Sequence, residues 1–136
     1  MRSWFVFGIL ALIVWGFWGF FPKLATNYLD PKSVIIYEIL GGILIGIIVL
    51  AVMKFKPQFH KKATLFGILT GIFGSTGALF FLFAISQGNA SVIVTMTALY
   101  PLITIALAFL ILKERVTKKQ SIGMILAFIA MVLFSL

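Results

Sequence analysis

The stretch VTMTALYPLIT, residues 94–104, sets Thr95, Thr97, Tyr100 and Thr104 beside Pro101 inside an otherwise apolar run. Hydroxyls offer hydrogen bonds to water or a solute. Proline has no amide hydrogen, and its ring pushes on the preceding turn. The chemistry on offer is recognition rather than bond-making. The carbonyl of Thr97, four residues before Pro101, loses its helical partner, which is costly in lipid unless another group meets it. At about 100° per residue, Thr97, Tyr100, Pro101, Thr104 and Ala108 fall on one helical face. Two readings follow. The hydroxyls bond back to their own helix in a packing face, or they line a wetted, solute-lined face whose cavity the kink at Pro101 shapes and gates. The coincidence of kink and hydroxyls favours the second.

Glu38 is the one carboxylate placed inside an apolar run, about a turn in from one end. A charge at the bilayer centre costs about 2.5–3.5 kcal/mol on insertion scales and less near the interface. Such a group either carries a proton or meets a cation, or it reaches the headgroups toward Lys32 or Lys23. Trp15 and Trp18 lie in WGFWGFFP. Trp18 suits an interfacial belt. Trp15 is deeper, with Gly16 close by, and either packs or walls a cavity where it could stack on a solute cation. Small residues recur at helical spacing as Gly42 and Gly46, and as Gly67, Gly71, Gly74 and Ala78. In lipid, small residues let helix backbones approach closely, so these stripes read as packing surfaces.

No enzyme constellation accompanies them. Ser75 and Thr76 have no base nearby in sequence, no carboxylates pair at a common depth, and no phosphate-binding loop is present. The chain has no cysteine and one histidine, His60, which reads as an exposed residue of the basic loop KFKPQFHKK. Neither a metal site nor any bound cofactor is expected.

The elements that must position these residues follow from composition. The chain has 136 residues, is 62% hydrophobic and 10% charged, and has a mean hydropathy of +1.21. Soluble domains average about 45–50% apolar and about 25% charged. The solvent for most of this chain is therefore lipid. A crossing needs about 20 apolar residues, and breaks divide the chain into five such runs, 4–22, 33–53, 63–86, 91–112 and 118–136. The first is too long for a signal-peptide core and has no cleavage pattern after it. Period-two alternation is absent, so the spans are helices and not barrel strands. Asp30-Pro31, Asn89 or Ser91, and the Thr117-to-Gln120 capping box mark helix starts. No linker or repeat interrupts 1–136, which reads as one all-α integral membrane domain.

The formal charge of +8 belongs to topology rather than to nucleic acid. One side receives Arg2, Lys54, Lys56, Lys61, Lys62, Lys113, Arg115, Lys118 and Lys119, and the other only Lys23 and Lys32. Nine against two predicts an N-terminus inside and a C-terminus outside the cell membrane.

The order WGFWGFFPKLA, ALFFLFAISQGNASVIV and ALYPLITIALAFLILKERVTKKQSIGMILAFIAMVLFSL resembles the EamA-type repeat of the drug/metabolite transporter superfamily. The carrying features are Pro101 in the fourth helix, the Lys113-Glu114-Arg115 turn and Gly123 near the start of the last helix. The turn opens on Lys113 where the family has glycine. The first helix has no carboxylate, unlike the small multidrug-resistance branch. The resemblance implies half of a ten-helix fold with inverted repeats and a solute site between halves. It implies a transporter, an exporter of a small organic metabolite or drug-like solute, working by alternating access as a homodimer or beside a second five-helix chain. The cavity would take Trp15, Glu38, Thr97, Tyr100 and Thr104. Rival readings are a non-transporting subunit packed on a partner, and a proton/cation antiporter.

Overall fold

The computed structural model describes residues 3–114 and 116–135, the side chain of Ser135 excepted. Arg2 and Arg115 of the charge count, the third residue of the Lys113-Glu114-Arg115 turn and the last residue of the fifth run lie outside the described residues. Those described form six helices, α1 (Ser3–Ala25), α2 (Pro31–Val52), α3 (Lys61–Gln87), α4 (Ala90–Thr97), α5 (Tyr100–Ile111) and α6 (Lys118–Ser135). No strand occurs among them. They group into two units, residues 1–87 and 88–136.

Helix starts follow the local chemistry. Asp30 caps α2, its Oδ1 accepting the amides of Lys32 at 2.8 Å and Ser33 at 3.0 Å. The Ser33 hydroxyl donates to Oδ2 at 2.8 Å. That hydroxyl bond first, and the Ser33 amide next, hold the Asp30 carboxyl below its ordinary value of 3.8. Thr117 and Gln120 form the reciprocal box at α6. Gln120 Oε1 accepts from the Thr117 amide at 2.8 Å, and Thr117 Oγ1 from the Gln120 amide at 3.3 Å. Asn89 stands at the cap position of α4, but its side chain makes no capping bond. His60 is exposed, yet its Nδ1 accepts the Ala63 amide at 3.4 Å at the start of α3.

The end of α2 is a Schellman motif, with the Lys54 amide on Ala51 O and the Phe55 amide on Leu50 O, both at 2.9 Å. The motif needs left-handed backbone, and Lys54 at φ 54° and Phe55 at φ 56° supply it without glycine. Lys113, after α5, is likewise at φ 55°.

One expected helix is two. Residues 91–112 were expected to form a single helix bent at Pro101; the chain instead leaves helix at Ala98 and Leu99, and Pro101 stands in the first turn of α5. The first turn is where a missing amide costs least, because those amides have no intrahelical partner. The break carries its own short bonds, Leu99 N to Met96 O at 3.3 Å and Leu102 N to Leu99 O at 2.9 Å.

Helices α1, α2 and α3, and α4 with α5 as one run of 22 residues, are long and apolar enough to cross a membrane. These are four candidate crossings against the five expected. Helix α6 opens on Lys118, Lys119 and Gln120, which shortens its apolar stretch.

In the first unit, α3 packs against both α1 and α2. Its buried residues are Gly19 and Pro22 of α1, Val34 of α2, and Ala78, Phe81, Leu82 and Ile85 of α3. All lie near the α1–α2 turn and the end of α3. Lys23 Nζ donates to Ile85 O at 2.9 Å there, a cation on the last carbonyls of a helix. Toward the other end the helices leave space. A Cβ added at Gly42, Gly46, Gly67, Gly71 or Gly74 would meet nothing within 4 Å. Within the chain, then, these glycines leave room rather than bring backbones into contact. In the second unit, α4 packs on α6.

Candidate functional site

The space beside the first unit's closed end is a groove of about 540 Å³ between α2 and α3. Solute pockets run from about 300 to about 1,000 Å³. Glu38, Ile39 and Gly42 line one side, and Thr70, Gly71 and Ser75 the other, with Trp18 at the end. Its surface is mostly apolar, with Glu38, Thr70 and Ser75 as polar groups.

Each wall has a local cause. Glu38 lies two turns into α2 from the Asp30 cap, half-buried. Trp18 Nε1 donates to Glu38 Oε1 at 3.0 Å, and the indole stacks on Phe81 with ring centroids 5.2 Å apart. Phe81 belongs to the buried core, so the indole is anchored from behind while its N–H reaches the carboxylate. Thr70 Oγ1 donates to Phe66 O at 2.9 Å, which satisfies its proton and leaves oxygen lone pairs as acceptors. Glycines at 42, 71 and 74 keep the groove open.

The expected site residues distribute as follows. Glu38 lines this groove; Trp15 does not and is 60% exposed. Thr97, Tyr100 and Thr104 belong to the second unit. Thr97 Oγ1 donates to Ile93 O at 2.8 Å and Val94 O at 3.1 Å, and Thr104 Oγ1 to Tyr100 O at 3.5 Å. Those hydroxyls bond back to their own helices and keep only acceptor capacity toward anything else. Tyr100 is 54% exposed. The second unit has its own groove of about 500 Å³, lined among others by Pro101, Ala108, Glu114 and Gly123. Thr97, Tyr100 and Thr104 are not among its walls, so the single face expected from helical spacing is divided. The break at Ala98 and Leu99 interrupts the spacing between Thr97 and α5.

Sequence reasoning missed the Trp18–Glu38 bond and the α3 hydroxyls opposite it. A signal for the latter existed. Thr70 and Ser75 flank Gly71, Gly74 and Ala78 at helical spacing, so the stripe is polar-edged and not merely small. Among the described residues, no group of three or more metal-ligating side chains comes together.

Helices long and apolar enough to cross a membrane mark an integral membrane protein, and in its first unit α2 and α3 leave a groove that holds a half-buried carboxylate. The chain belongs to the EamA-like transporter family, whose sequence model matches residues 2–136. This places it among membrane transporters. An uncharacterized protein of Methanocaldococcus jannaschii is 32% identical over 133 residues, 96% of this chain and 95% of that protein. The uncharacterized transporter YyaM of Bacillus subtilis is 34% identical over 117 residues, 82% of this chain but 37% of that longer protein. No solved structure matches the chain.

Proposed function

We propose that this chain exports a small organic metabolite or drug-like solute by alternating access, working as a dimer with a second copy or a second five-helix chain. The observation that carries the reading is the Trp18–Glu38 pair at the end of an open groove in the first unit. Family membership supports transport as the activity, rather than catalysis. The chain spans 37% of the longer YyaM, which supports pairing with a second half.

In this reading α6 is the fifth crossing, residues 1–136 act as one domain, and the N-terminus faces inside and the C-terminus outside. Glu38 meets the polar end of the solute. Trp15 in the first unit, and Thr97, Tyr100 and Thr104 in the second, meet solute each within its own unit, the threonines as acceptors, and the break before Pro101 lets α4 and α5 move against each other. The partner covers Gly46 and Gly67, which lie outside the groove and where a Cβ would meet nothing within 4 Å in this chain.

The test is counterflow in proteoliposomes loaded with a mixture of amino acids, organic amines and aromatic metabolites. At least one class should exchange faster than in protein-free vesicles. No exchange of any class, from protein that is folded and dimeric, would refute transport. It would favour a membrane subunit whose glycine surfaces serve assembly alone, a reading the uncovered glycines also support.

A further inference from the structure

We infer that the turn between α2 and α3, residues 53–60, together with the first residues of α3, is a binding site for the phosphate headgroups of anionic phospholipids. Lys54, Lys56, Lys61 and Lys62 are all exposed there. No aspartate or glutamate lies between Glu38 and Glu114, so no carboxylate nearby in sequence neutralises them. A topological signal requires only these charges. The turn carries more. Phe55 is 68% and Phe59 81% exposed, interleaved with the lysines.

The backbone explains how they come to be presented. Two consecutive left-handed residues, Lys54 and Phe55, end α2, where glycine would serve without strain. Pro57 then fixes its own φ and restricts Lys56 to extended backbone. The chain re-enters helix at Lys61, with His60 accepting the Ala63 amide. The result is a short turn at the end of two membrane-length helices, with aromatic rings beside ammonium groups. Aromatic rings partition to the boundary between headgroups and acyl chains, and lysines gather anionic lipid at the surface. Neither ring finds a stacking partner among the ring contacts of the described residues.

The test uses the full chain in mild detergent. It is titrated with phosphatidylglycerol or with phosphatidylcholine of the same acyl chains, and retained lipids are counted by native mass spectrometry. Phosphatidylglycerol should be retained about tenfold more strongly, and raising salt from about 0.05 to about 0.5 M should remove most of that preference. The variant with Lys54→Gln, Lys56→Gln, Lys61→Gln and Lys62→Gln should lose most of that preference, whereas Lys113→Gln with Lys118→Gln and Lys119→Gln should keep most of it. Phe55→Ser with Phe59→Ser should weaken retention of both. Equal retention by the wild-type protein, or a preference left undiminished by the four lysine substitutions or by high salt, would overturn the inference. So would displacement of the lipid by soluble glycerol phosphate, which would make this a phosphate site and not a lipid surface. The milder variant Lys61→Gln with Lys62→Gln, which should lose part of the preference, keeps the inference falsifiable where the four-residue variant fails to fold.

Discussion

Trp18 Nε1 donates to Glu38 Oε1 at 3.0 Å, joining α1 to α2 between residues 20 apart in sequence. The bond fixes the carboxylate at the groove's end and orients it by way of an indole anchored on Phe81. Trp18→Phe keeps the ring stack and deletes the donor. It should destabilise the chain by about 1–2 kcal/mol, because a half-buried acceptor loses its partner. Glu38→Gln keeps an acceptor oxygen at the same place and should change stability by less than about 1 kcal/mol. Thermal unfolding in detergent separates the two. Equal losses would mean that the charge, not the hydrogen bond, holds the helices.

Gly71 offers a way to fill the groove without disturbing the fold. A Cβ there meets nothing within 4 Å, so Gly71→Ala should fold with a stability change of about 1 kcal/mol or less, and Gly71→Leu extends that side chain into the groove. Gly71→Leu should cut solute flux about tenfold or more by occupying the solute's space. If crosslinking shows that dimer formation is lost together with flux, the glycine face is an assembly surface and the groove is not the pathway.

Lys113 holds a left-handed backbone that glycine adopts freely. Lys113→Gly should therefore stabilise the turn by about 0.5–1 kcal/mol, and Lys113→Val should destabilise it by at least as much. Unfolding midpoints of the two variants give the sign directly. No difference between them would mean that the turn relaxes at little cost.

Orientation is accessible because the chain contains no cysteine. Single cysteines at Ser3 and Asn27 stand at opposite ends of α1. An impermeant thiol reagent on intact cells should label position 27 alone, as the charge bias requires. The dimer is then parallel or formed with a different chain. Labelling at both positions in comparable amounts would mean dual orientation and an antiparallel homodimer.

How much was legible in the sequence depended on range. The Asp30 cap and the Thr117–Gln120 box were readable because each is a contact between residues three or fewer apart. The lipid-facing character was readable from composition. Pro101 was located correctly as a perturbation, but its consequence was not. Proline in a helix interior and proline in a first turn read alike, and only the bonds around Ala98 and Leu99 tell them apart. The Trp18–Glu38 bond was illegible for a different reason. It depends on how α1, α2 and α3 close at one end, a long-range packing that no local spacing encodes. Depth along α1 favoured Trp15, whereas the azimuth of Trp18, set by the packing onto Phe81, decided which indole reached the carboxylate.

The central claim is that solute passes beside Glu38. The most direct measurement is counterflow of the exchanged solute in proteoliposomes, comparing wild type with Glu38→Gln at equal protein and equal dimer content. The account predicts a loss of flux of about tenfold or more, about 1.4 kcal/mol of transition-state stabilisation, with unfolding and assembly unchanged. Undiminished flux through Glu38→Gln would contradict it and leave Glu38 a structural partner of Trp18.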